Sequence, residues 1–217
     1  MFERITRREE ADLFIAWLAI SLSFAIIMIA PNGILGPVGP VSLVTALVSF
    51  GIALLTVGIG FILHEMAHKF TAIRYGYWAE FRKDNNMLLV AVALASLVGF
   101  VFAAPGATII YRNGNDGRGL SREQNGKISA AGPVVNLLLC IPFAALLVCA
   151  GGLTSLNGNI LAQLGLAGVQ INAMIAAFNM LPISILDGNK VFSWNIPVFF
   201  LLILAAFGAL VASFYII

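Results

Sequence analysis

The sequence predicts an all-α membrane protein, a polytopic bundle of about five to six transmembrane helices, with a re-entrant segment after the second. Three observations carry that prediction. The chain of 217 residues is 60% hydrophobic and 10% charged, with a mean hydropathy of +0.98, whereas soluble domains hold about 45–50% apolar residues. Its apolar runs reach the roughly 20 residues a helix needs to cross the hydrocarbon core, and short polar or Gly/Pro-rich breaks separate them. Lysine and arginine gather in alternate breaks, as expected when basic loops stay on the cytoplasmic side. A net charge of +2, scattered along the chain, excludes the dense basic face of a nucleic-acid-binding protein, so no nucleic-acid partner is expected.

The first span, 12–30, follows Arg4, Arg7 and Arg8 and is longer than the apolar core of a signal peptide. Pro31 stands where a cleavage site would need small residues, so this span reads as an uncleaved anchor. The second span covers 41–74. A third segment, 87–111, opens on an apolar run whose course is set by the charges around it. Lys69, Arg74, Arg82 and Lys83 precede it, and Arg112, Arg118, Arg122 and Lys127 follow it. The breaks at 31–40 and 151–159 contain no lysine or arginine.

If 87–104 crossed the bilayer, the second basic group would fall outside and every later span would invert. The pattern therefore favours a segment that enters from the cytoplasmic side and returns. Its expected form is a short helix followed by extended backbone through Gly99, Phe100, Val101, Phe102, Pro105, Gly106 and Ile110. Such backbone is tolerated at membrane depth only against protein or a water cavity, which makes it a candidate substrate-binding wall. An ordinary sixth span with a weak loop bias is the alternative. Spans at 128–150, 160–188 and 196–217 complete one transmembrane domain. Cys140 and Cys149 are too far apart on a single helix to bond and read as small core residues.

The chemistry lies in two clusters. Both histidines of the chain fall in the string His64-Glu65-Met66-Ala67-His68. Residues four apart share a helix face, so both imidazoles can reach one ion while Glu65 projects close by, the pattern of zinc-protease helices. Satisfied core histidines are the bland alternative, but a carboxylate in mid-membrane costs about 2.5–3.5 kcal/mol and such residues usually mark function. A zinc of this kind takes three protein ligands and keeps a position open.

The second cluster runs from Asn179 to Gly188. Asp187 is the one carboxylate after Glu123, and an acid in an apolar setting needs a cation, which makes it the natural third ligand. Pro182 interrupts helical hydrogen bonding and Gly188 permits a tight turn. Taken alone, this string is a Pro-kinked helix end.

Together the clusters resemble the site-2 protease family of intramembrane zinc metalloproteases, peptidase family M50, in its minimal archaeal and bacterial form. That family pairs HExxH on one transmembrane helix with Asn-x-x-Pro-x-x-x-Leu-Asp-Gly on a later one, and both motifs are matched here in order. Gly132-Pro133-Val134-Val135-Asn136 is similar to the family's Gly-x-x-x-Asn element, with ordinary helix packing as its other reading.

The resemblance covers about 41–190. It implies one Zn2+ per chain on His64, His68 and Asp187, with Glu65 as general base and Asn179 assisting catalysis. It also implies Asn136 near the substrate, membrane-protein substrates cut within or near their transmembrane segments, and a membrane-inserted strand or hairpin after the HExxH helix. The basic loops beside both clusters place the N-terminus and the site toward the cytoplasm of a multi-pass cell-membrane protein. A metal carrier and an inactive scaffold are the competing readings; the first explains Glu65 poorly, and the second leaves all four key residues unexplained.

Overall fold

A computed structural model describes residues 5–37, 39–101, 105–111, 119–183 and 185–215. Along the chain run α1 (Arg7–Ile29), α2 (Leu43–Arg74), β1 (Trp78–Lys83), α3 (Asn85–Val98), β2 (Gly106–Tyr111), α4 (Arg122–Cys149), α5 (Ile160–Asn179), α6 (Asp187–Trp194) and α7 (Ile196–Tyr215), with a 3-10 turn at Gly152–Ser155. Among the described residues, α1, α2, α4, α5 and α7 are long and apolar enough to cross a membrane. The chain is thus an all-α, integral, multi-pass membrane protein. It divides into two compact units, Met1–Ile62 with Glu80–Ile109, and Leu63–Ala79 with Ile110–Ile217.

In the first unit, Thr6 caps α1 by accepting from the Glu9 N–H at 3.2 Å, and Glu9 and Glu10 suit the positive helix end. Glu9 is fully buried, and its carboxylate accepts the Phe81 backbone N–H at 3.0 Å. Asp12 and Glu80 both pair with Arg82. Trp17 donates its indole N–H to the Leu54 carbonyl at 2.9 Å, with its ring lying over Gly58 of α2.

The segment after α2 is a strand, a short helix and a strand. Helix α3 has 14 residues, about 21 Å at 1.5 Å per residue, short of the roughly 30 Å hydrocarbon core. Asp84 caps its start, accepting from Asn86 and Met87. Gly99 ends it with φ +69°, and a Cβ there would meet the Pro31 carbonyl oxygen at 1.9 Å. Strands β1 and β2 pair, and Asp84 N–H donates to the Pro105 carbonyl at 2.8 Å beside the ladder.

The extended stretch expected from Gly99 onward is therefore shorter. Gly99, Phe100 and Val101 form the helix end and the turn beyond it, and pairing begins at Gly106. The left-handed backbone at Gly99 closes the helix and turns the chain out of it, where a regular strand would be extended. Phe102 lies outside the described residues.

In the second unit, α4 begins earlier than its apolar run. A capping box between Ser121 and Gln124 starts the helix six residues before Ile128, through the polar stretch at 122–127. Helices α4 and α5 approach closely at glycines: a Cβ on Gly165 would lie 2.6 Å from the Leu147 backbone nitrogen, and one on Gly168 would lie 2.2 Å from the Phe143 ring. Small residues bring membrane helices together in this way.

Cys140 packs there with Phe143, Val169 and Ala173, whereas Cys149, read as a core residue, is exposed near the end of α4. The helix read over 160–188 stops at Asn179, because Pro182 has no N–H to continue it. The chain then turns and starts α6 at Asp187. Val191 of α6 packs with Ala130, Met180, Phe199 and Leu202, joining α4, α6 and α7.

Candidate metal centre

The i, i+4 spacing on α2 sets both imidazoles on one face, and both are buried. Their Nε2 atoms stand 3.0 Å apart. The turn after α5 delivers Asp187 to them. It depends on Gly188, where a Cβ would fall 2.1 Å from the Met180 carbonyl oxygen, so the chain can fold back there only without a side chain. Asp187 Oδ2 lies 3.5 Å from His64 Nε2 and 3.0 Å from His68 Nε2. Among the described residues this trio is the group able to hold a metal ion.

Each ring is gripped from behind. His68 donates its Nδ1–H to the Ile128 carbonyl at 2.7 Å, and His64 donates its Nδ1–H to Asn136 Oδ1 at 2.5 Å. With the ring hydrogens on Nδ1, both Nε2 atoms present lone pairs. Two Nε2 atoms and a carboxylate oxygen then converge on one point, the donor set of a divalent cation. Tetrahedral zinc with bonds of about 2.0–2.2 Å sets its ligand atoms about 3.3–3.6 Å apart, near the observed separations.

Gly132 keeps the adjoining space clear. A Cβ on it would stand 2.5 Å from His68 Nε2 and 2.6 Å from His64 Nε2. Two imidazoles, one carboxylate and a glycine beside them fit a zinc ion.

The other expected residues are placed as follows. Glu65 is buried on the same turn of α2 as the histidines. Asn179, the last residue of α5, donates one amide hydrogen to the Ile175 carbonyl at 3.0 Å. Asn136, expected near the substrate, has both ends of its amide engaged within the protein, by His64 and by Asn172. Gly99, Phe100 and Val101 belong to the first unit.

Two neighbours escaped the sequence reading. Lys190 sits 3.4 Å from the second Asp187 oxygen, Oδ1, and the Asp187-to-Lys190 spacing of one helical turn was a legible signal. Asn172 was signalled as an uncharged polar residue in an apolar span.

Residues 52–164, just over half of the chain, match the profile of peptidase family M50. The match takes in His64, Glu65, His68, Gly132 and Asn136. A candidate zinc metalloprotease of Methanocaldococcus jannaschii is 38% identical over 192 residues, which cover 88% of this chain and 87% of the relative. No solved structure matches the chain significantly. The chain belongs to peptidase family M50.

Proposed function

We propose that this metalloendopeptidase is zinc-dependent and cuts other membrane proteins within or near their transmembrane segments. His64, His68 and Asp187 hold one ion per chain, and Glu65 and Asn179 assist the reaction. The observation that carries the reading is the convergence of three lone-pair donors at 3.0–3.5 Å beside a glycine. When bound, zinc supplies a Lewis acid that makes water nucleophilic at neutral pH and polarises the scissile carbonyl.

The chain's own groups supply the rest. A Glu65 carboxylate oxygen takes the proton of the attacking water and returns it to the amine nitrogen as the C–N bond breaks. Asn179 has one amide hydrogen committed to Ile175, and its second can donate to the substrate carbonyl. The buried histidines and carboxylate keep bulk water from the donors, which strengthens every charge interaction there.

A substrate helix hides its peptide bonds in its own hydrogen bonds, so it must unwind before cleavage. Strand addition to the β1–β2 ladder is the recognition mode suited to an unwound segment, with Gly99, Phe100, Val101 and Phe102 on the chain leading into β2. Lys69 and Arg74 at the end of α2, Arg82 and Lys83 on β1, and Arg122 and Lys127 on α4 orient those ends toward the cytoplasm of the cell membrane.

The test is metal analysis of the purified protein together with cleavage of a model transmembrane substrate. Wild type and Glu65→Gln should each carry one zinc, with cleavage reduced by about 10²–10⁴-fold in the variant. Zinc in both with cleavage in neither would instead favour a carrier or a scaffold.

A further inference from the structure

A histidine ring offers Nε2 to a metal only when its hydrogen is on Nδ1. For His68 the Ile128 carbonyl decides this, because a carbonyl can only accept. His64 instead faces an amide, and an amide can turn either its oxygen or its NH2 toward a ring. Which way Asn136 turns is decided two steps further back.

Asn172 donates its Nδ2–H to the Gly168 carbonyl, one turn earlier on α5, at 2.8 Å. That carbonyl has no hydrogen to give, so Asn172 presents its oxygen to Asn136, which donates Nδ2–H to it at 2.8 Å. Asn136 is left with Oδ1 facing His64 Nδ1. Each link therefore has one possible polarity, fixed at its far end by main chain. Asn136 and Asn172 are fully buried and His64 nearly so, which leaves water little room to substitute for any of them.

We infer that Asn172 is a positioning residue: acting through Asn136, it holds His64 with its hydrogen on Nδ1 and so sets the affinity of the centre for its metal. The inference rests on His64, His68 and Asp187 holding the ion as proposed above. With leucine at position 172, Asn136 loses its acceptor, and its amide can rotate to aim NH2 at His64. That orientation favours a ring hydrogen on Nε2, where the metal must bind.

The chain has two histidines, so 15N-histidine labelling of zinc-loaded protein yields ring signals from His64 and His68 alone. In wild type both should show a protonated Nδ1 and a metal-bound Nε2. In Asn172→Leu the His64 Nδ1–H signal should move upfield and exchange faster, while that of His68, bonded to Ile128, stays in place. Zinc affinity, measured by chelator competition, should fall about 10–100-fold. Asn172→Asp should restore it to within a few-fold, because a protonated carboxyl can donate to Gly168 and accept from Asn136.

A wild-type His64 bound through Nδ1 overturns the inference without any variant having to fold. So does an Asn172→Leu protein with unchanged zinc affinity and an unchanged His64 signal. A wild type that binds no zinc, or a His64→Ala protein that binds it as tightly, overturns the metal centre itself and this inference with it.

Discussion

Gly132→Ala isolates the contact between α4 and the two histidines of α2. The added methyl would stand 2.5 Å from His68 Nε2 and 2.6 Å from both Cε1 and Nε2 of His64. Carbon in ordinary contact with carbon or nitrogen lies about 3.5 Å or more away, so each approach is short by about 0.9–1.0 Å or more. Neither ring can retreat without breaking its Nδ1 hydrogen bond, to Ile128 in one case and Asn136 in the other. Helix α4 is itself held against α5 at Gly165 and Gly168.

Overpacking of this kind costs about 1–3 kcal/mol. If that strain is felt when the rings close on zinc, affinity weakens by about 5- to 150-fold. Chelator competition for zinc reads the effect, with Gly208→Ala as control, because a Cβ on Gly208 meets nothing within 4 Å. Zinc affinity within about two-fold of wild type in Gly132→Ala would refute the placement of α4 against the histidine pair, since even the lower bound gives about five-fold.

Three further outcomes test other parts of the fold. Gly188→Ala forces a methyl group against the Met180 carbonyl oxygen, moves Asp187 off the histidines, and should lower zinc content with little loss of helix in circular dichroism. Gly99→Ala must adopt φ +69° against Pro31 and should destabilise the protein by more than about 1 kcal/mol, read as a lowered Tm in detergent. Glu9→Ala leaves the Phe81 N–H without its acceptor and should cost about 1–3 kcal/mol in denaturant unfolding, whereas Glu9→Gln keeps an oxygen there and should cost less.

The convergence of His64, His68 and Asp187 was legible because their signals are sparse. Two histidines at helical spacing and one carboxylate in the last third of an apolar chain leave few alternatives. The spans were legible from length and hydropathy, and α3 from the charges on either side of it. What stayed hidden depends on direction.

Hydropathy cannot say toward which neighbour an asparagine points, so the bond from Asn136 to His64 was not legible, and Asn172 passed unremarked. Nor does it mark where a helix stops within an apolar run. The end of α5 at Asn179 is set by Pro182 and by the Gly188 contact with Met180. Likewise the stretch after α3 looked uniformly extended, until the left-handed turn at Gly99 and the approach of Pro31 divided it from β2.

Two of the three candidate donors sit on consecutive turns of one helix, while the third opens a short separate helix beyond a break in the chain. An ion held by all three would act as a rivet as well as a reagent, because it would fasten the start of α6 to α2. Free zinc at 100 times its dissociation constant would add about 2.7 kcal/mol to the folded state. Stripping the metal should therefore free the α6 backbone amides to exchange with solvent long before those of α4 and α5, which glycine contacts hold together without it.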